Sequence, residues 1–215
     1  MSTERVLVTG GAGFIGSNLV RKLLEFGDNV TVLDSLLTGR LRNLDGLPEV
    51  RFIEGDVRDE DIVNKAAEGI EVIYHLAASV GNKRSIDHPV LDAEINVLGT
   101  IRILEAARRV GARKIVTSSS AGIFGELVNL PIKEDHPIAP DSPYGCTKLC
   151  EEKLSLSYAK LYDIEAVCLR YFNVYGRNQR FDAYGNVIPI FVLICSRVCP
   201  SLFLGMGNKL EILCM

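Results

Sequence analysis

The sequence predicts an α/β fold, a doubly wound parallel sheet of Rossmann type, and three observations predict it. Short β-branched runs alternate with longer helix-period segments from the first residues to about Arg170. The runs are almost continuously apolar, as strands covered on both faces of a parallel sheet are. The segments between them are long enough for right-handed crossovers, which place helices on both faces of the sheet.

In chain order, the strands are expected at Arg5–Thr9, Val30–Leu33, Val50–Ile53, Val72–Leu76, Lys114–Thr117 and Ala166–Arg170. Helical periodicity covers Phe14–Phe26, Asp59–Ala67, Pro89–Val110 and Pro143–Tyr162. Pro89 and Pro143 stand where a first helical turn begins, and Gly27 and Gly111 follow helix ends. No internal repeat interrupts this order. From Phe191 to Met215 the character changes: only Arg197, Lys209 and Glu211 are charged, and neither period is sustained.

The 215 residues make one large domain, or one domain with the start of another. A composition of 47% hydrophobic and 24% charged residues excludes disorder and low complexity. With 24 basic against 27 acidic residues the net charge is −3, so no basic field exists to hold nucleic acid or an anionic membrane. The longest apolar run, Val187–Cys195, is about half the roughly 20 residues of a membrane span. Glu4 and Arg5 precede a short apolar run without a cleavage-type ending, so no secretory signal is expected. The six cysteines (146, 150, 168, 195, 199 and 214) form no CxxC pair, which suits reduced thiols and a cytoplasmic chain. His75, His88 and His136 are scattered, with His75 expected to be packed at a strand end, and no metal site is expected.

After the first strand comes TGGAGFIG (9–16), opening a helix. Gly10, Gly13 and Gly16 meet three demands: a tight turn, close backbone approach to a pyrophosphate, and close helix-to-strand packing. The free N–H groups and positive end of the helix then face the phosphates. Asp34 closes the second strand, where a carboxylate accepts from a ribose and repels a 2′-phosphate, favouring NAD over NADP. Arg40 and Arg42 lie past Gly39 and are taken as solvated. Asp56-Val57 ends the third strand, either as a turn or against an adenine.

Tyr144 and Lys148 lie at i and i+4 on one helix, so phenol and ammonium share a face. A phenol is a poor base at neutrality, and an adjacent ammonium favours its anion. The fifth strand ends in Ser118-Ser119-Ser120, at the carboxyl edge where ligands bind in such sheets. A hydroxyl there can both donate to and accept from a reacting sugar hydroxyl.

Together these residues resemble the extended short-chain dehydrogenase/reductase family, in its UDP-glucose 4-epimerase group. The resemblance rests on TGGAGFIG, Asp34, GDVRD (55–59), HLAA (75–78), KRSIDHP (83–89) and EINVLGT (94–100), then SSS (118–120), SPYGCTK (142–148) and RYFNVYGRNQ (170–179). It implies NAD as cofactor, a UDP-sugar as substrate and a homodimer paired through the helices at 89–110 and 143–162. Phe14 and Ile15 would sit by the pyrophosphate, Asp34 on the ribose, and Asp56 and Val57 on adenine. Leu76, Ala77 and Ala78 would line the cofactor, which Asn96 would support. Tyr144 and Lys148 would be the catalytic pair, with Lys148 also on the nicotinamide ribose. Ser120, with Ser119 beside it, would supply the catalytic hydroxyl. Phe172 would neighbour the nicotinamide, and Asn173, Asn186 and Val187 would touch the nucleotide sugar. The implied reaction is inversion at C4 of a UDP-hexose through a transient 4-keto sugar. Dehydratases and decarboxylases of the same family carry acidic residues just after the catalytic Ser/Thr, where this chain has Ala121-Gly122. Phe124 replaces a common tyrosine, and Gly176-Arg177 a common Gly-Pro. By the same resemblance, residues 1–176 would be the NAD-binding domain and 177–215 a remnant of the substrate lobe, as expected of a C-terminally truncated chain.

Overall fold

A computed structural model of the chain describes residues 3–180. Six parallel strands, β1 (Arg5–Thr9), β2 (Asn29–Asp34), β3 (Arg51–Glu54), β4 (Val72–His75), β5 (Lys114–Ser120) and β6 (Glu165–Tyr171), form one sheet. Their order is β3-β2-β1-β4-β5-β6. The chain therefore winds outward in one direction from β1 and then in the other from β4, leaving a crevice above the carboxyl ends of these two central strands.

The strands form because β-branched residues face packed helices on both sides. Along β1, Leu7 enters one core cluster with Leu33, Val63, Ile73, Ile103, Leu104 and Ile115. Val6 and Val8 enter the opposite one with Val20, Leu23, Val30 and Val32. That alternation has the two-residue period of a strand buried on both faces. The helices are α1 (Phe14–Glu25), α2 (Glu60–Ala67), α3 (Asn82–Asp87), α4 (Pro89–Ala93), α5 (Gly99–Val110) and α6 (Pro143–Tyr162). Asp59 caps α2 by accepting from the N–H groups of Asp61 and Ile62, and Ser142 caps α6 by accepting from Gly145. Gly111 ends α5 in the left-handed region, at φ 68°.

The expected elements are present, with three differences. The stretch expected as one helix from Pro89 is α4, a π-helical turn (Glu94–Leu98) and α5 in succession. Inside it, Thr100 Oγ1 donates to the Asn96 carbonyl at 2.6 Å, and the Asn96 side chain is drawn toward neighbouring backbone. Such side-chain competition bends or widens a helix. Strand β5 runs three residues beyond Thr117, because β6 pairs with it as far as Ser120↔Tyr171. The short α3, which begins one residue before KRSIDHP, is too brief for its period to be legible. The expected boundary at 176/177 and its C-terminal lobe fall on residues of which 181–215 lie outside the described ones. Among the described residues, no helix is long and apolar enough to cross a membrane.

Candidate active site

The crevice holds a cleft of about 1250 Å³ of empty space, its open mouth included. Ten of the residues expected at a dinucleotide line it: Gly10, Gly13, Phe14, Ile15, Asp34, Asp56, Val57, Leu76, Ala77 and Ala78. Ser35, Leu37, Thr38, Val80, Arg84, Ile95, Gln179 and Arg180 line it too. Of these, Arg84 lies within the quoted KRSIDHP stretch, so its signal was present. Arg40 and Arg42, expected to be solvated, border a second hollow with Asn43, Asp45 and Asn178.

The glycine turn fits a bound pyrophosphate for steric reasons. At Gly10, φ is +70° and an added Cβ would lie 2.8 Å from Ala77 N. At Gly16 it would lie 2.2 Å from the Gly10 carbonyl oxygen, so the first turn of α1 sits directly on the loop. At Gly13, which lines the cleft, it would have only the Gly10 oxygen near, at 3.0 Å. Gly13 caps α1 without a side-chain hydrogen bond, which leaves the first-turn N–H groups available to an anion. Gly16 itself stands behind the cleft and shapes it. Asp34 accepts from Ala12 N at 2.9 Å and from Leu36 N at 2.8 Å, one bond to each oxygen. Its remaining lone pairs can accept from a ribose diol. Burial pushes its pKa up, against the opposing pull of those backbone N–H groups. The Asp56 carboxylate is held by Arg58 in a two-point pair, at 2.8 and 2.9 Å, and its side-chain hydrogen bonds hold its pKa down.

Beneath the cleft wall runs a buried chain of hydrogen bonds. Thr9 Oγ1 meets His75 Nδ1 at 2.8 Å, and His75 Nε2 meets Thr100 Oγ1 at 3.0 Å. Because Thr100 donates to the Asn96 carbonyl, the ring must donate from Nε2, and in a ring kept neutral by burial Nδ1 is then the acceptor from Thr9. His75 is therefore neutral and packed, its pKa pushed down to about 3 by burial and by Lys148. Asn96 does not line the cleft. Its amide pairs with both backbone groups of Ser79, at 2.8 and 3.0 Å, and so holds the loop after β4 in place.

Past the far end of this cleft, α6 brings Tyr144 and Lys148 to the end of β5. The virtual Cβ of Gly122 lies 3.4 Å from Ser120 Oγ and 3.7 Å from Tyr144 Cδ1, so hydroxyl and phenol flank the same small residue. Strand alternation separates the serines. Ser118 shares the Ser120 side, with its Oγ 3.4 Å from Lys148 Nζ. Ser119 faces away and donates to Glu152 Oε2 at 2.8 Å. Glu152 also takes two bonds from Arg170, at 2.8 and 3.1 Å. Ser119 is thus committed to a buried pair, while the Ser120 hydroxyl accepts from Gly122 N, at 3.1 Å. Phe124 is 2% exposed, with the Arg170 guanidinium 5.2 Å above its ring. Phe172 and Asn173 follow β6 as exposed residues just beyond the partner of Ser120. Asn186 and Val187 lie outside the described residues.

What sequence reasoning missed is the polar underside of α6. Lys148, Glu151, Glu152 and Ser155 follow core spacing, and all are buried. Lys148 Nζ and Glu151 Oε2 are 2.5 Å apart, with both side chains 1% exposed. Burial pushes the Glu151 pKa up to about 7, with Lys148 pulling down and Glu152 pushing further up.

These shifts have opposite consequences for stability. Between about 4.5 and 7 the folded chain holds the extra proton at Glu151, so folding gains as pH falls. Between about 3 and 6.5 the unfolded chain holds the extra proton at His75, so folding loses as pH falls. Each slope is about 1.4 kcal/mol per pH unit, and the two oppose one another where they overlap. In Glu151→Gln the stability difference from the parent is expected to change by roughly 3 kcal/mol between pH 7 and 4.5. Urea unfolding at the two pH values measures this, and a constant difference contradicts it.

Among the described residues, no cluster of three or more His, Cys, Asp or Glu could hold a metal ion. Cys146, Cys150 and Cys168 are free thiols.

Residues 6–210 match the NAD dependent epimerase/dehydratase family. The UDP-glucose 4-epimerase of Mycolicibacterium smegmatis is 43% identical over 192 residues, covering 87% of this chain and 61% of that protein. The UDP-glucose 4-epimerase of Thermotoga maritima, solved with UDP-glucose, superposes with a TM-score of 0.86 at 36% identity, covering 90% of this chain and 63% of that one. That of Thermus thermophilus, solved with NAD, gives a TM-score of 0.81 at 39% identity, covering 92% and 63%. The chain spans less than two thirds of the length of each of these three proteins.

Proposed function

The chain belongs to the NAD-dependent epimerase/dehydratase family, and from that premise we propose that it inverts C4 of a UDP-hexose of the UDP-glucose/UDP-galactose type. The observation that carries the proposal is the meeting of Ser120 and Tyr144 around Gly122, at the same carboxyl edge of the sheet on which the glycine-lined cleft opens.

In this reading Gly10, Gly13, Phe14 and Ile15 hold the NAD pyrophosphate, and Asp34 holds a ribose. Asp56 and Val57 meet the adenine, and Leu76, Ala77 and Ala78 form the wall. Tyr144, Lys148 and Phe172 stand at the nicotinamide end, and Asn173, Asn186 and Val187 on the nucleotide sugar. NAD, when bound, supplies the hydride acceptor and donor for the sugar carbon.

The chain's own residues do the proton work. Tyr144 takes the proton of the sugar 4-hydroxyl as that oxygen becomes a carbonyl, and returns it when the hydroxyl is restored on either face. Lys148, one helical turn on, stabilises negative charge on the phenolic oxygen. Ser120 already accepts from Gly122, so its own O–H is available to donate to the reacting oxygen and fix its direction. Elimination would need a further acid or base at this point. Ala121-Gly122 offers neither, which supports inversion over dehydration. A homodimer paired through α5 and α6 belongs to the same proposal.

The test is to incubate purified chain with UDP-galactose and, separately, with UDP-glucose, without added cofactor, and follow the sugar by chromatography. Conversion in both directions to one equilibrium ratio is expected. Bound dinucleotide without conversion contradicts the proposal, and so does net consumption of NADPH in a parallel incubation to which it is added, which would make the chain a reductase.

A further inference from the structure

One charged group in this site has no part in the proton transfer described above. Glu151 lies on the buried side of α6, three residues after Lys148 and 1% exposed. Its Oε2 meets Lys148 Nζ at 2.5 Å, and its Oε1 is buried without a hydrogen-bond partner among the described residues. Lys148 has one further neighbour, Ser118 Oγ, at the outer limit of 3.4 Å. An ammonium so placed is held mainly by one carboxylate. A buried carboxylate with one oxygen unsatisfied is the weaker half of such a pair.

We propose that Glu151 is a positioning residue, whose carboxylate anchors the Lys148 ammonium in the site wall and whose protonation releases it toward a bound dinucleotide. This rests on the reading in which Lys148 reaches the nicotinamide ribose. When ribose hydroxyls draw the ammonium away, Glu151 loses its partner in a dry environment and must take up a proton, since an unpaired buried charge is the costliest alternative. Anchoring and cofactor binding are then linked through one proton.

The surroundings are consistent with exchange at this group. On α6 it faces Lys148, Glu152 and Cys150. Glu152 is committed to Arg170 and Ser119, and burial holds the Cys150 thiol up. From β6 comes Cys168, whose thiol burial also pushes up. From β4, His75 stays neutral. From α4, Asp92 accepts through Oδ2 from Thr147 at 2.6 Å and from Asn96 at 3.2 Å, while its Oδ1 is buried without a partner among the described residues. Glu151 is the member of this set whose pKa lies at neutrality, at about 7.

The experiment is calorimetric titration of NAD⁺ into the dinucleotide-free chain, in buffers of different ionisation enthalpy, from pH 5.5 to 9. Binding is expected to take up a fraction of a proton, greatest just above pH 7 and vanishing at both ends of the range. Glu151→Gln is expected to bind without proton exchange, and Glu151→Asp to restore the exchange. Should Glu151→Gln fail to fold, the pH profile of the unaltered chain decides alone. Binding with no proton exchange, or with release, overturns the inference and leaves the site reading standing. An absence of binding heat at every pH overturns both.

Discussion

Tyr144→Phe is expected to lower sugar inversion by about 10²–10⁴-fold, the range over which a positioned acid–base group contributes. The substitution removes one oxygen and keeps the ring, so its packing near Gly122 is preserved. The glycine turn, Asp34 and the wall after β4 are untouched. Bound dinucleotide after gel filtration should therefore match the parent, and melting temperature should move little. A variant that turns over normally, with dinucleotide retained, would remove the phenol from the mechanism. The split between lost turnover and kept cofactor separates a chemical role from a structural one.

Gly16→Val is expected to abolish dinucleotide retention and lower the melting temperature by roughly 2–12 °C, from an overpacking cost of about 1–3 kcal/mol. The new Cβ would stand 2.2 Å from the Gly10 carbonyl oxygen and 2.7 Å from Gly11 Cα. Neither atom is the end of a flexible side chain, so α1 must lift away from the loop. Lifting it withdraws the first-turn N–H groups from the cleft, which is where an anion would be lost. Gly46→Ala is the control, because no atom lies within 4 Å of its added Cβ and its φ of +77° brings backbone strain alone. It should cost stability and leave the dinucleotide bound. Retention of dinucleotide by Gly16→Val, measured as nucleotide absorbance per chain, would contradict the cradle.

The difference between these two sites explains what the sequence made legible. Glycines at 10, 13 and 16, an acid at the end of β2 and a phenol four residues before an amine are patterns with fixed spacing along the chain. Each spacing corresponds to a turn, a strand end or a helix face, so sequence alone places them. Strand order follows from the same logic, since apolar runs joined by helical crossovers admit few arrangements.

The rest depends on what lies across the fold. Ser119 and Ser120 are indistinguishable in sequence, and only the pairing of β5 with β6 turns one toward Glu152 and the other toward Gly122. Lys148, Glu151 and Glu152 repeat at the spacing of a buried stripe, yet charged residues at that spacing ordinarily mark a solvated face. They are buried here because Lys148 and Glu151 pair with each other on α6, and because other elements supply Arg170 on β6 to Glu152 and Ser118 on β5 to Lys148. The π-helical turn at Glu94–Leu98 is likewise invisible to a helical period, because it follows from where Asn96 and Thr100 find their partners.

The most direct measurement uses UDP-galactose carrying deuterium at C4 of the sugar, incubated with the dinucleotide-loaded chain in ordinary water. Nuclear magnetic resonance of the product then reads the hydrogen at C4. A phenol that exchanges only the hydroxyl proton, beside an acceptor that gives back the hydrogen it received, predicts UDP-glucose with the deuterium still at C4. Product with protium at C4, or no product from a loaded chain, would contradict the account.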